Sequence, residues 1–246
     1  MPQELATCSP ELLADLVVAN WILYDEDVLD GFGHVSVRHD KDPQRYVMAR
    51  HMAPGLVTEA DVLDFTLDSQ PVVDIGKRYY SERFIHGEIY RVRPDVMSIV
   101  HTHAPPLIPF GVTATTLRPI YHMGGFLGQG VPVFEIRDAA GITDMLIRTP
   151  DLGRALAAKL DVKPFILMRG HGATVVGQTL QQAVYRAIYG TMNARLQAEA
   201  LRLGEVNYLL PEEAAKADER NAMSVHRPWD LWKREALDRR AARRSS

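Results

Sequence analysis

Val96-Met97-Ser98-Ile99-Val100 is an apolar run that ends in His101-Thr102-His103. Its composition predicts a buried β-strand. On a strand, residues two apart point to the same side. The imidazoles of His101 and His103 then stand side by side where the strand runs out, a natural place for two ligands of one metal ion. A third candidate ligand, His171, lies in Arg169-Gly170-His171-Gly172, after another strand-like run from Pro164 to Met168. A fourth, Glu82, lies upstream at the start of a predicted helix. Three histidines and a carboxylate suit a divalent transition metal such as Zn or Mn, with Co and Fe compatible. A lone histidine at a strand end is more often a hydrogen-bonded structural residue. The combination of Glu82, the paired histidines and His171 is far more specific than any one of them.

Working outward, Pro10 to Asp27 has the spacing of an amphipathic helix, with Ser9-Pro10 as cap and first turn. Gly31-Phe32-Gly33 breaks the chain before His34-Val35-Ser36-Val37-Arg38, which alternates like a strand. Tyr46 to Ala49, Val62 to Thr66, Pro71 to Val73 and Val131 to Ile136 are further strand candidates. Ser81 to Arg93 is helical in spacing and places Glu82 and His86 four apart. A helix starts near Pro105, Gly124 to Gly130 reads as a glycine-rich loop, and Pro150 to Leu160 and Thr179 to Leu203 read as helices. The glycine-rich stretch does not follow a strand in the pattern of a nucleotide-binding loop. The expected architecture is α/β: one domain with a central mixed sheet and helices packed around it. Its bounds are 1–224, followed by a basic tail, 225–246.

With 28 Lys and Arg against 31 Asp and Glu, the net charge of −3 offers no electrostatic footprint for nucleic acid. The tail holds Arg239, Arg240, Arg243 and Arg244. It reads as a solvated helix, or one packed on a neighbouring subunit, rather than a nucleic-acid arm. Its Trp229–Trp232 region is a candidate to close over a neighbour's site. No apolar run has membrane-spanning length, and Met1-Pro2-Gln3-Glu4-Leu5 lacks the features of a secretion signal. The single cysteine, Cys8, cannot form an internal disulfide. A cytoplasmic protein is expected.

These motifs resemble the class II aldolase/adducin family over roughly residues 10 to 210. The carriers are Gly31 to Arg38, Ser81-Glu82 through His86, His101-Thr102-His103 and Gly170-His171-Gly172. The resemblance implies an αβα fold with a mainly antiparallel sheet. It implies one divalent metal ion per subunit on His101, His103 and His171, and a homotetramer with sites at subunit interfaces. It also gives Glu82 an acid/base role with access to the metal. The phosphate-holding positions of the family's sugar-phosphate aldolases differ here. His34 stands for an Asn, Met48-Ala49-Arg50-His51 for a hydroxyl-glycine turn, and Tyr80-Ser81-Glu82 for Ser-Ser-Glu. His122, in Tyr121-His122-Met123, stands near an aldolase tyrosine that donates a proton. These changes, with Tyr121 to Asp138 and Arg227-Pro228-Trp229-Asp230, are similar to a branch that decarboxylates dihydroxyphthalates and hydroxypyridine dicarboxylates.

Decarboxylation and retro-aldol cleavage both leave an electron pair on carbon, which a Lewis-acid metal stabilises through an adjacent oxygen. The expected function is therefore a metal-dependent lyase of a small carboxylic acid, most simply a hydroxylated aromatic or pyridine carboxylate. Glu82 is the first candidate for proton transfer and His122 the second. His34, Ser36, Arg50, His51, Tyr80 and Ser81 are candidates to bind substrate, Arg50 through a paired contact to a carboxylate. His86 is a candidate to orient Glu82 or a ligand. Aldol cleavage of a non-phosphorylated hydroxy acid or sugar acid is the alternative. A non-catalytic adducin-like interaction protein is the alternative of another class, and it predicts loss of the ligand set.

Overall fold

The computed structural model describes residues 5–244. Met1 to Glu4, which carry most of the sequence read for a secretion signal, and the last two residues of the tail lie outside them. Seven strands are present among the described residues: β1 (His34–Arg38), β2 (Arg45–Ala49), β3 (Val62–Thr66), β4 (Ser98–Thr102), β5 (Val133–Phe134), β6 (Phe165–Met168) and β7 (Gly172–Gly177). They form one sheet in the order β3-β2-β1-β4-β7-β6-β5. Every pairing is antiparallel except β5 with β6. The single mainly antiparallel sheet with helices around it is the architecture the sequence led to.

Helices cover both faces. On one face α1 (Pro10–Asp25) and α6 (Leu180–Leu203) pack together, with α6 against β4 and β7. Ser9 caps α1 by accepting from the Leu12 N–H, and Thr179 caps α6 by accepting from the Gln182 N–H. The opposite face carries α2 (Arg83–Val92), which α5 (Pro150–Leu160) backs. The centre of the sheet is fully buried: β1 and β4 expose no residue, which suits their β-branched content.

Several elements differ from the sequence reading. Pro71 to Val73 makes only an isolated bridge, Phe65 to Pro71; proline brings no N–H to extend a ladder. The expected strand Val131 to Ile136 is cut to Val133–Phe134 because Glu135 caps a short helix, α4 (Ile136–Ala140), by accepting from Arg137 N–H. Gly124 to Gly130 is not a loop: His122–Gln129 is a 3₁₀ helix packed under α7 (Pro211–Ala222). A Cβ on Gly125 would sit 2.6 Å from the Ala214 carbonyl oxygen, so these glycines admit α7 at close range. Neither α7 nor β7 was expected.

The basic tail is a helix, α8 (His226–Arg244), docked on its own chain. Lys233 pairs with Asp15 at 2.6 Å and Arg240 with Asp25 at 2.5 Å, both acidic partners lying on α1. Trp229 is buried and Trp232 lies 6.1 Å from Tyr189, ring to ring. Part of the tail's charge is thus matched within the chain, and Trp232 faces α6. His39, which carries no motif and reads as a surface residue, is buried, with its Nε2 3.0 Å from Thr7 Oγ1. No helix among the described residues is long and apolar enough to cross a membrane.

Candidate metal centre

The register of three strands builds the floor of the site. His34 on β1 lies opposite His101 on β4, and His101 lies opposite Thr174 on β7. Directly opposed residues share a face, so the three form a row on the face covered by α2. His103 stands one step beyond the strand on the same side. Its Nε2 is 3.0 Å from that of His101, the side-by-side placement expected from their spacing. Thr102, pointing the other way, ties the strand end by donating from Oγ1 to the Val28 carbonyl and accepting from Ala104 N–H.

His171 arrives from the hairpin between β6 and β7. The turn is three residues long, Arg169 to His171, with Gly170 at φ +62° and His171 N–H donating to the Met168 carbonyl. Gly172 then brings β7 against the end of β4, where a Cβ would lie 2.0 Å from the Thr102 carbonyl oxygen. No side chain fits there. That close approach sets His171 Nε2 3.0 Å from His103 Nε2. Arg169 braces the hairpin through an ion pair with Glu135 at 2.5 Å.

Glu82 is the residue before α2, yet its carboxylate does not cap that helix. Oε1 accepts from the Ile147 N–H at 2.9 Å, and Oε2 faces both His101 Nε2 and His171 Nε2 at 3.5 Å. The side chain is turned into the cluster. Burial by itself pushes its carboxyl up, but His101 and His171 outweigh it and hold the group well below the usual carboxylate range. Burial lowers His101, and it lowers His103 to about 4 with help from His101 and His171. His171 is raised, because contact with Glu82 outweighs its desolvation.

The donor set fits a divalent cation. Glu82, His101, His103 and His171 each offer one ligand atom, all within 4.8 Å of one another. His171 Nδ1 lies 2.9 Å from the Met145 carbonyl oxygen, which can only accept, so Nδ1 donates and a neutral ring turns the Nε2 lone pair inward. Three imidazoles, that of His101 buried and those of His103 and His171 half-buried, and an ionised carboxylate converge on one point, an arrangement that a cation would neutralise. Zn, Mn, Co and Fe are all compatible with such ligands.

A cavity of about 310 Å³ opens above the cluster. Glu82 and His103 form part of its wall, as do His34, His51, Tyr80 and Ser81 from the sequence candidates. Tyr80 donates to the Met52 carbonyl at 2.5 Å and lies against the His34 ring, 4.6 Å between centroids. The remaining lining is Gly31, Gly33 and the apolar side chains of Phe32, Met52, Ala53 and Leu146. Arg50 is elsewhere, its Nε bound to Asp61 at 2.8 Å. Ser36 lies behind the wall, and His86 contacts Ser36 and His34 rather than Glu82 or a ligand. The His122 side chain is exposed on the 3₁₀ helix outside the cavity, and its carbonyl accepts from Asn221. Tyr79 turns away to donate to Asp74. Ile147, Met145 and Tyr90 contribute contacts that sequence reasoning missed. Of these only Tyr90 left a signal, standing four residues after His86 and eight after Glu82 on one helical stripe.

Comparison with known proteins identifies the family and the fold. Residues 14–198 match the family model described as the class II aldolase and adducin N-terminal domain. The decarboxylase tropJ of Talaromyces stipitatus is 39% identical over 238 residues, covering 87% of this chain and 90% of the relative. The 3,4-dihydroxyphthalate decarboxylase of a Terrabacter species is 30% identical, covering 75% and 79%. Among solved structures, an L-fuculose 1-phosphate aldolase from Glaciozyma antarctica superposes with a TM-score of 0.78 over 94% of this chain and 90% of that one, at 19% identity. The last likeness speaks to the fold alone. By family model, sequence relatives and fold together, the chain belongs to the class II aldolase and adducin family.

Proposed function

We propose that this protein is a metal-dependent carboxy-lyase that removes carbon dioxide from a hydroxylated aromatic or pyridine (di)carboxylic acid. The observation that carries the proposal is the placement of the Glu82, His101, His103 and His171 cluster at the base of a cavity walled by flat and apolar side chains. Relatives across most of the chain are decarboxylases, one of them acting on a dihydroxyphthalate. The complete ligand set argues against a non-catalytic adducin-like role.

His101, His103 and His171 would hold the metal, with Glu82 beside it. When bound, the ion supplies Lewis-acid stabilisation of the electron pair that departing carbon dioxide leaves behind. Phe32 and Tyr80 line the cavity and offer aromatic surface to a planar ring. Glu82, ionised at rest, first accepts the proton of a ring hydroxyl. The ring–carboxylate bond then breaks, its electron pair stays on the ring carbon, and neutral carbon dioxide leaves. Glu82 returns the proton to that carbon, forming the new C–H bond. Ser81 and His51 at the rim complete the polar contacts to substrate. Arg50 does not line the cavity, and its Nε is held by Asp61, so in this arrangement it takes no part in binding substrate. A cytoplasmic homotetramer with one Zn or Mn per subunit is part of the same proposal. His122 enters the chemistry only as a residue offered to a neighbouring subunit's site.

The test is carbon dioxide release from a panel of ortho-hydroxy aromatic and pyridine dicarboxylates, with Zn-loaded and Mn-loaded protein. Metal-dependent release supports the proposal and ranks the substrates. Aldehyde or pyruvate formed from hydroxy acids, with no carbon dioxide from the panel, reassigns the protein to aldol cleavage.

A further inference from the structure

Behind the cavity wall lies a buried chain of four polar side chains that the reaction above does not use. Tyr90 Oη is 2.8 Å from Ser36 Oγ, Ser36 Oγ is 2.6 Å from His86 Nδ1, and His86 Nε2 is 2.7 Å from His34 Nδ1. Ser36 and His86 are wholly buried, and Tyr90 is 1% exposed. His34 is the end of the chain that reaches the cavity, and its ring forms part of the wall.

The direction of the protons along this chain follows from counting them. Among the described residues the Tyr90 hydroxyl has one hydrogen-bond partner, Ser36 Oγ, and Ser36 Oγ has two, Tyr90 and His86. Each hydroxyl carries one proton. If Tyr90 donates to Ser36, Ser36 donates to His86 Nδ1, and every proton has an acceptor. In the opposite direction Ser36 would donate to Tyr90, and the buried phenol proton would be left with none. An unsatisfied buried donor is the costlier arrangement. His86, accepting at Nδ1, then carries its proton on Nε2 and donates it to His34 Nδ1. Each ring then has one nitrogen that accepts, His86 at Nδ1 and His34 at Nδ1, so both rings are neutral.

We propose that Tyr90, Ser36 and His86 are positioning residues that lock His34 in the tautomer with its proton on Nε2, so that His34 is a fixed hydrogen-bond donor for a carboxylate oxygen of the substrate. A fixed donor discriminates: it favours an anionic oxygen and leaves a carboxylate-free ring without that contact. His34 lines the cavity and Arg50 does not, so the carboxylate-reading part falls to His34. The tautomer stands on geometry alone, whereas the choice of a carboxylate rests on the decarboxylase reading.

The experiment uses the full chain loaded with diamagnetic zinc and labelled with ¹⁵N-histidine. Long-range proton–nitrogen correlation reports which nitrogen of each ring carries the proton, with His34→Gln assigning the His34 signals. His34 and His86 are both expected as Nε2–H tautomers, and Ser36→Ala is expected to alter the His86 pattern. A His34 ring protonated on Nδ1 overturns the proposal whether or not any substrate is found. Binding of 2,3-dihydroxybenzoate and of catechol is then titrated calorimetrically. His34→Phe should weaken the carboxylate compound about 10- to 100-fold and catechol less than about twofold, and His34→Gln should recover most of the loss. Equal weakening of both probes removes the carboxylate assignment. If the phenylalanine variant does not fold, the wild-type tautomer and the glutamine variant's preference between the two probes decide. A correct tautomer and selective weakening, with no carbon dioxide from the panel, would sink the decarboxylase reading and leave the donor in place.

Discussion

Glu82 accepts a backbone hydrogen bond from Ile147, 65 positions along the chain, at 2.9 Å, and this contact aims its other oxygen at His101 and His171. The Ile147 N–H can be satisfied by a glutamine side-chain oxygen as well. Glu82→Gln therefore keeps the anchor while removing the charge and the proton carrier. Turnover should fall at least about 100-fold, whereas metal affinity should fall by about 10- to 100-fold and still saturate. Metal content and single-turnover carbon dioxide release measured on one preparation check this. Unchanged turnover at full metal loading would remove Glu82 from proton transfer.

Acidification should strip the metal before it unfolds the protein. Metal binding requires neutral imidazoles. His171 is raised above 6.5, and His103 is lowered to about 4. Affinity should begin to fall as pH drops through the His171 range and continue falling towards 4. Metal-free protein should also lose stability below pH 6.5. His34, His86 and His103 have lowered values in the fold. The unfolded chain therefore binds protons there that the folded one refuses, at up to about 1.4 kcal/mol per pH unit for each such histidine. The raised His171 works the other way. Zinc titrations and thermal unfolding of chelator-treated protein across pH 4 to 8 test both statements.

Gly172→Ala tests the contact that places His171. The new methyl would meet the Thr102 carbonyl oxygen at 2.0 Å, so β7 must retreat from β4. A stability loss of roughly 2–4 kcal/mol is expected, with metal affinity falling alongside it. Denaturant unfolding in the presence and absence of zinc separates the two effects. A variant as stable and as tightly metallated as the wild type would show that the close approach is dispensable.

Trp229→Ala probes the docked tail. Trp229 is 4% exposed and belongs to the core. Its truncation should cost roughly 3 kcal/mol of stability with metal stoichiometry unchanged, because α8 contacts α1 and α6 rather than the ligand cluster. Loss of the metal in a folded variant would tie the tail to the site.

Elements with a strong period, and the convergence of Glu82, His101, His103 and His171, are legible in the sequence. His101 and His103 obey the two-residue repeat of a strand, and Glu82 and His86 the four-residue repeat of a helix. What escaped lacks such a signal. The run Gly172 to Gly177 is a strand flanked by glycines, α7 has a single buried residue, and Ile147 meets Glu82 through its backbone. Arg50 carries the chemistry of a carboxylate anchor, but its partner Asp61 is 11 residues away and only the fold brings them together. The spacing of His86 from Glu82 suggests that it orients Glu82 or a ligand. The register of β1 under α2 instead joins it to His34 and Ser36.

Metal content and carbon dioxide release of the wild type, chelator-stripped protein and His103→Ala, measured together, test the central claim most directly. The account predicts one divalent ion per chain and carbon dioxide release in the wild type. Both should be lost on stripping, recovered on reloading, and absent in His103→Ala. Undiminished release from the stripped protein or from His103→Ala would contradict it.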